Sequence, residues 1–312
     1  MALESSIRLV WMPGITSGKG SRELTTQRIL SPRVATVLSV TPDSVSMYIG
    51  KRQRSIDFIS HEADRFASAS FESLLVEARF DRNPRSTAWL LIKGYYAAFF
   101  AVHALLRISG SACTRITPET VASINREAAS LMPNPPAVVG GLYLMSLQNE
   151  GVEIKCQRLE SARGGSHEVL WSLLPEFLDA VVNKVLTHGG NTEEDNRLVA
   201  AVEDLRSLIA RKGGAVWFTQ VRNRINYSHE YGAWFPYVRS TTDCDRIKAR
   251  LDAWRGPADQ TLGGMGDDEL IQFASACAFL VSLCCTTVKD LTFRSTAGSP
   301  FRVSSGLLAN WH

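Results

Sequence analysis

The sequence predicts a mainly α fold that carries a β-prone N-terminal arm and a β-hairpin insertion, and three patterns make that prediction. From about residue 55 to 295, apolar residues recur at helical spacing in long segments punctuated by glycine and proline. The first 54 residues instead hold two β-prone runs, SIRLVWM and RVATVLSV, separated by Gly14, Gly18, Gly20 and Pro32. Leu142 to Leu159 alternates around Asn149, Glu150 and Gly151, as a hairpin does. The expected organisation is an arm with extended or β segments over 1–54, a helical domain over 55–295 with an insertion at about 133–160, and an irregular tail over 296–312.

Each element has its own signal. Ser55 to Phe80 predicts a helix, with Ile56, Phe58, Ile59, Phe66, Phe71 and Leu74 set among charges and Asn83-Pro84 breaking it. Ser86 to Ile108 is apolar nearly all round, which predicts a central position, and Gly110 ends it. Thr117-Pro118-Glu119 is a helix start, extended to about Leu131. Pro133 to Gly141 is a loop by composition, and Ser166 to His188 resumes helix. Thr192 and Asp195 form a capping-box-like start for the stripe Leu198, Val199, Val202, Leu205, Leu208 and Ile209. Gly213-Gly214 stops that helix. Thr241 to Trp254 and Asp267 to Phe293 supply two more helices, joined through a linker at Gly263 to Gly266.

Composition narrows the function classes. A chain of 312 residues with 45% hydrophobic content can bury a substantial core. Net charge is only +3, from 34 basic against 31 acidic residues, so global charge does not announce a nucleic-acid binder. Six cysteines show no CxxC pair, which predicts buried thiols in a reducing compartment. Met1 to Lys19 lacks the apolar core of a signal peptide, and a cytoplasmic location is expected. Two apolar stretches, Trp89 to Leu106 and Leu270 to Val288, are read as buried core helices rather than membrane spans. No P-loop, GxGxxG, HExxH, GxSxG or EF-hand pattern occurs, and no histidine or carboxylate set has metal-ligand spacing, so neither cofactor nor metal is expected.

The densest polar chemistry lies in Val216 to Pro236, VWFTQVRNRINYSHEYGAWFP. Phe218, Val221 and Ile225 give a buried stripe, while Arg222, Asn226 and His229 fall on another face, and Gly232 offers a stop. His229 is the best acid-base candidate, because histidine exchanges a proton near neutrality. An arginine beside it can stabilise negative charge gathering on phosphate oxygens. At about 100° per residue, Arg222 and His229 lie nearly in line whereas Arg224 stands about 140° away. Asn223 and Asn226 are candidates to orient the histidine or the phosphate. A structural alternative stands beside this chemistry, in which the same side chains hydrogen-bond glutamates elsewhere in the fold. His61, His103, His167 and His188 are read as structural.

Residues Arg224 to Tyr231 spell Arg-x4-His-x-Tyr, and with this the stretch resembles the signature of the HEPN superfamily of small helical bundles. Trp89 to Arg107, WLLIKGYYAAFFAVHALLR, is similar to the tyrosine- and alanine-rich early core helix of those domains. The resemblance covers about residues 55–295, and the NYSHEYGAWFPY context is similar to the YaaC-like group of bacterial proteins. It implies a metal-independent endoribonuclease of toxin or antiviral-defence type, with two copies of the motif helix meeting in a homodimer around a composite cleft that binds RNA. It implies further that Arg224, whose register alone matches Tyr231, is the leading catalytic arginine, though Arg222-x6-His229 is also a permitted spacing. Tyr231 would be a regulatory position open to nucleotide transfer, and an antitoxin, a nucleotidyltransferase or another defence protein would be the partner. Some HEPN relatives are non-catalytic, and a nucleotide-binding or partner-scaffolding module is the alternative.

Overall fold

A computed structural model describes residues 3–20, 25–75, 86–159, 165–228, 230–236, 244–262 and 268–310. The fold is mainly α, with one small antiparallel sheet. In chain order the principal elements are β1 (Thr36–Thr41), β2 (Ser44–Tyr48), α1 (Arg52–Leu75), α2 (Thr87–Ile108), β3 (Ser111–Ile116) and α3 (Pro118–Leu131). There follow β4 (Gly141–Gln148), β5 (Glu153–Arg158), α4 (Ser166–Ser172), α5 (Leu174–His188), α6 (Glu193–Arg211), α7 (Trp217–Asn223), α8 (Cys244–Asp252) and α9 (Glu269–Arg294).

Helix α2 is buried along nearly its whole length, as its apolar sequence predicts, because α1 and α9 pack along it. Gly94 permits the approach of α8: a Cβ there would stand 2.6 Å from a Leu251 methyl carbon. Both α2 and α9 are long and apolar enough to cross a membrane, yet 72% and 89% of their most apolar windows are buried inside the fold. That burial is what core helices show. Of the cysteines, Cys244 is half-buried and the other five are buried, and none is in a disulfide. The Thr192–Asp195 capping box is formed at α6 in both directions.

The sheet gathers three separate parts of the chain. Its order is β1-β2-β5-β4-β3, every pair antiparallel. The hairpin of the arm pairs through β2 with β5, so Ser44 lies opposite Gln157, and the hairpin of the insertion continues into β3. Arm and insertion are therefore one layer. Val45, Met47, Tyr143, Met145, Ile154 and Cys156 point from it into a second core, closed by Ile56, Phe58 and Ile59 of α1 and by Val121, Ile124 and Ala128 of α3.

Three local expectations are corrected. The β-prone run SIRLVWM is helical instead, within Leu3–Ile7 and Arg8–Val10, where Ile7 and Val10 join the main core. The single helix expected over Ser166 to His188 breaks at Leu173, since Pro175 lacks the N–H that a continuous helix requires and sits instead in the first turn of α5. The tail expected to be irregular holds two short helices, Pro300–Val303 and Ser305–Ala309, with Phe301 fully buried. Ser304 and Ser305 are tied to the Asp64 carboxylate, through hydroxyl and backbone N–H, at 2.6 and 2.9 Å.

Candidate functional site

Gly213 and Gly214, at φ +84° and +106°, adopt the backbone that turns the chain from α6 into α7. Trp217, Phe218 and Val221 then anchor α7: Phe218 stacks on Trp171 at 4.3 Å, and Trp217 meets Phe273 edge-on at 5.8 Å. The α-helix does not run on to Gly232 as the sequence predicts. Arg224–Ser228 forms a π turn, whose wider winding advances each residue by less than 100°, so the angular registers drawn from an ideal helix do not carry past Asn223. Trp234 folds back over this turn and donates its indole N–H to the Ile225 carbonyl at 2.8 Å.

Two polar clusters flank the segment. In the first, Glu269 at the start of α9 is a shared acceptor. Its Oε1 receives Trp217 Nε1 at 3.0 Å and Arg224 Nη2 at 2.9 Å, and its Oε2 receives the Tyr231 hydroxyl at 2.7 Å. Burial works to raise the Glu269 pKa, but these three donors outweigh it and hold the carboxyl below its usual range. The Tyr231 phenol is pushed well above its ordinary value by burial and by its bond to Glu269. It is a fixed donor. Arg224 is further approached by Glu230 at 4.0 Å and lies over the Tyr231 ring at 5.3 Å.

The second cluster surrounds Arg222. Its Nη2 donates to Tyr96 Oη and its Nη1 to Asn223 Oδ1, both at 2.9 Å, and its guanidinium carbon stands 5.6 to 6.0 Å from the rings of Tyr227, Tyr96 and Tyr95. Its Nε is buried and makes no hydrogen bond. Among the described residues no carboxylate pairs with it. Burial disfavours the charge, but the Tyr96 hydrogen bond and the three phenols raise the pKa further. Beside it, His167 Nδ1 meets the Tyr95 hydroxyl at 2.9 Å, and the imidazole stacks on Phe99 at 4.3 Å. Burial, then the Arg222 charge, lower its pKa and keep the ring neutral near pH 7. Tyr95 also accepts the Trp171 indole N–H at 3.0 Å. Tyr227 is 71% exposed and opens the cluster to solvent.

Of the residues expected at the site, Arg224 and Tyr231 thus meet at Glu269, while Arg222 donates to Asn223 and to Tyr96. Asn226 is half-buried and its side chain makes no hydrogen bond among the described residues. His229 lies outside the described residues. The sequence did not single out Glu269 as the partner, nor place His167, read as structural, beside Arg222. The acidic run Asp267 to Glu269 signals only a helix start, and His167 is a lone histidine whose partners come from α2 and α7.

No protein-family model, curated protein or solved structure matches the chain.

Proposed function

We propose that the chain is a metal-independent endoribonuclease with Arg222, rather than Arg224, as the phosphate-contacting arginine. The observation that carries this reading is the contrast in partners: Arg224 is held by a carboxylate, whereas Arg222 is held by hydroxyl, amide and ring faces that leave its charge uncompensated. An uncompensated guanidinium beside an exposed tyrosine suits a phosphodiester. His229 takes the proton of a ribose 2′-hydroxyl, the freed oxygen attacks the adjacent phosphorus, and the P–O5′ bond breaks as O5′ takes a proton from water, whose hydroxide is neutralised by the proton that His229 gives back. The products are a 2′,3′-cyclic phosphate and a 5′-hydroxyl end. The HEPN-like motif supports this chemistry, together with a homodimer that places two motif segments around one cleft, a cytoplasmic location and a toxin or phage-defence role.

Inducible expression of wild type, His229→Ala and Arg222→Ala, with growth and total RNA read together, tests the proposal. Wild type degrades RNA and arrests growth, and cleavage survives EDTA and spares DNA; both variants lose about 10²-fold or more of the activity. Equal RNA integrity in all three cultures would remove the enzyme reading.

One observation favours a second reading. Two of the three motif residues, Arg224 and Tyr231, are saturated by Glu269 inside the fold, as in a non-catalytic HEPN-like module that binds a nucleotide or scaffolds a partner. That reading predicts intact RNA in every culture.

A further inference from the structure

On the sheet-bearing half of the molecule, a groove of about 1210 Å³ runs between the arm segment 25–34 and one face of α3. Its floor is built: Gln27 accepts the Thr120 hydroxyl at 2.6 Å and donates to the Arg115 carbonyl at 2.8 Å, which fixes the arm against the start of α3. Arg28, Arg33, Arg54 and Arg126 line it, and among the described lining residues Glu127 is the one carboxylate. Arg33, Arg54 and Arg126 are exposed, and none of these three has a carboxylate partner among the described residues. Arg126 reaches only the Ala122 carbonyl at 3.3 Å and the Ser123 hydroxyl at 3.4 Å.

Glu127 supplies an independent constraint. Its Oε2 is buried and accepts no hydrogen bond. That oxygen is closed to solvent, so a ligand meets it only once the carboxylate turns into the groove, a rotation that breaks no existing hydrogen bond of Oε2; there it takes a donor, while the surrounding arginines take anionic oxygens. A ligand that satisfies the groove therefore carries phosphate charges and hydroxyl donors side by side. The ribose-phosphate backbone of RNA does so, through its phosphates and its 2′-hydroxyl. No aromatic ring lines the groove, so bases find nothing to stack on and recognition follows the backbone.

We propose that this groove is a holding site for single-stranded RNA, separate from the motif segment, with Arg33, Arg54 and Arg126 on phosphates and Glu127 on a 2′-hydroxyl. The inference deepens the ribonuclease reading and rests on it for RNA as the natural ligand, but it shares none of that reading's residues.

The test uses full-length His229→Ala protein, so that bound RNA stays whole, and a labelled mixed-sequence single-stranded RNA followed by fluorescence anisotropy across a salt series. Adding Arg33→Gln, Arg54→Gln and Arg126→Gln together raises Kd at least about tenfold and lowers the slope of log K against log salt by about 2, at about 0.7 per single-strand phosphate contact. Circular dichroism confirms that the triple variant remains folded. DNA of the same sequence binds several-fold more weakly than RNA, and Glu127→Ala removes that difference. Unchanged affinity and slope in the triple variant overturn the groove, and equal affinity for RNA and DNA overturns the Glu127 contact. Wild type that cuts RNA while the groove variant binds normally would refute this inference and spare the ribonuclease reading; binding lost in the variant of a protein that never cuts RNA would do the reverse.

Discussion

The two sides of the motif segment hold arginines two positions apart in opposite surroundings. On the Glu269 side, Arg224 shares one carboxylate with Trp217 and Tyr231, and its charge is answered within the fold. On the Tyr96 side, Arg222 is held by neutral groups, and no carboxylate among the described residues answers its charge. The difference separates two settings of one residue type: a guanidinium that closes an internal network, and one that no carboxylate among the described residues answers. A matching sequence spacing alone does not distinguish them.

The sharpest way to break this comparison is to remove each arginine in turn. Arg222→Ala should lower RNA cleavage by about 10²- to 10³-fold with little change in melting temperature, whereas Arg224→Ala should leave the rate within a few-fold and lower Tm. The reverse pattern, read by cleavage kinetics and thermal denaturation, would restore Arg224 as the catalytic arginine. Next in size, Glu269→Ala strands three donors at once. Allowing for its partial exposure, the loss should be about 2 kcal/mol, or a Tm lower by about 4–8 °C, with Glu269→Gln retaining part of it.

Acidification probes the two sides separately. His167 beside Arg222, and His103, which is lowered by burial and then by Arg107, Arg65 and His167, both titrate below the ordinary 6.5. Between the folded and unfolded values the unfolded chain binds more protons, so this contribution is complete above about pH 6.5 and is lost as pH falls through the folded values. Glu269 adds a loss only lower down, since its depressed carboxyl contributes fully above about pH 4.5 and is lost below it. Tm followed from pH 8 to 2.5 should therefore decline in two stages, and His103→Gln should flatten the upper one. The smallest effect belongs to Tyr231→Phe, which removes one hydrogen bond worth about 1 kcal/mol and keeps cleavage. Nucleotide transfer to that oxygen must first displace Glu269, so Glu269→Ala should accept an adduct faster than wild type in a transfer assay.

Much of the helical half is legible in the sequence because its signals are local. The unbroken apolar run of α2, the Thr192–Asp195 box of α6 and the alternation around Glu150 each need only a few neighbouring residues, and Glu150 and Gly151 do turn the hairpin at φ +57° and +94°. What was not legible depends on distant partners. Ser111–Ile116 is a strand because β4 runs beside it, and its six residues show no alternation of their own. The π turn over Arg224–Ser228 has no glycine or proline to announce it. Glu269 reaches the motif from 38 to 52 positions away, and only the folded chain reveals which arginine it neutralises.

The pairing of Ser44 with Gln157 also sets an order of events during synthesis. The arm's hairpin leaves the ribosome more than a hundred residues before β5, which at typical elongation rates is roughly 6 to 20 seconds earlier. Through that interval β2 has β1 on one side and no partner on the other. Its open edge is shielded only by polar residues such as Ser44 and Ser46, which lowers the risk of joining the wrong strand before the right one exists.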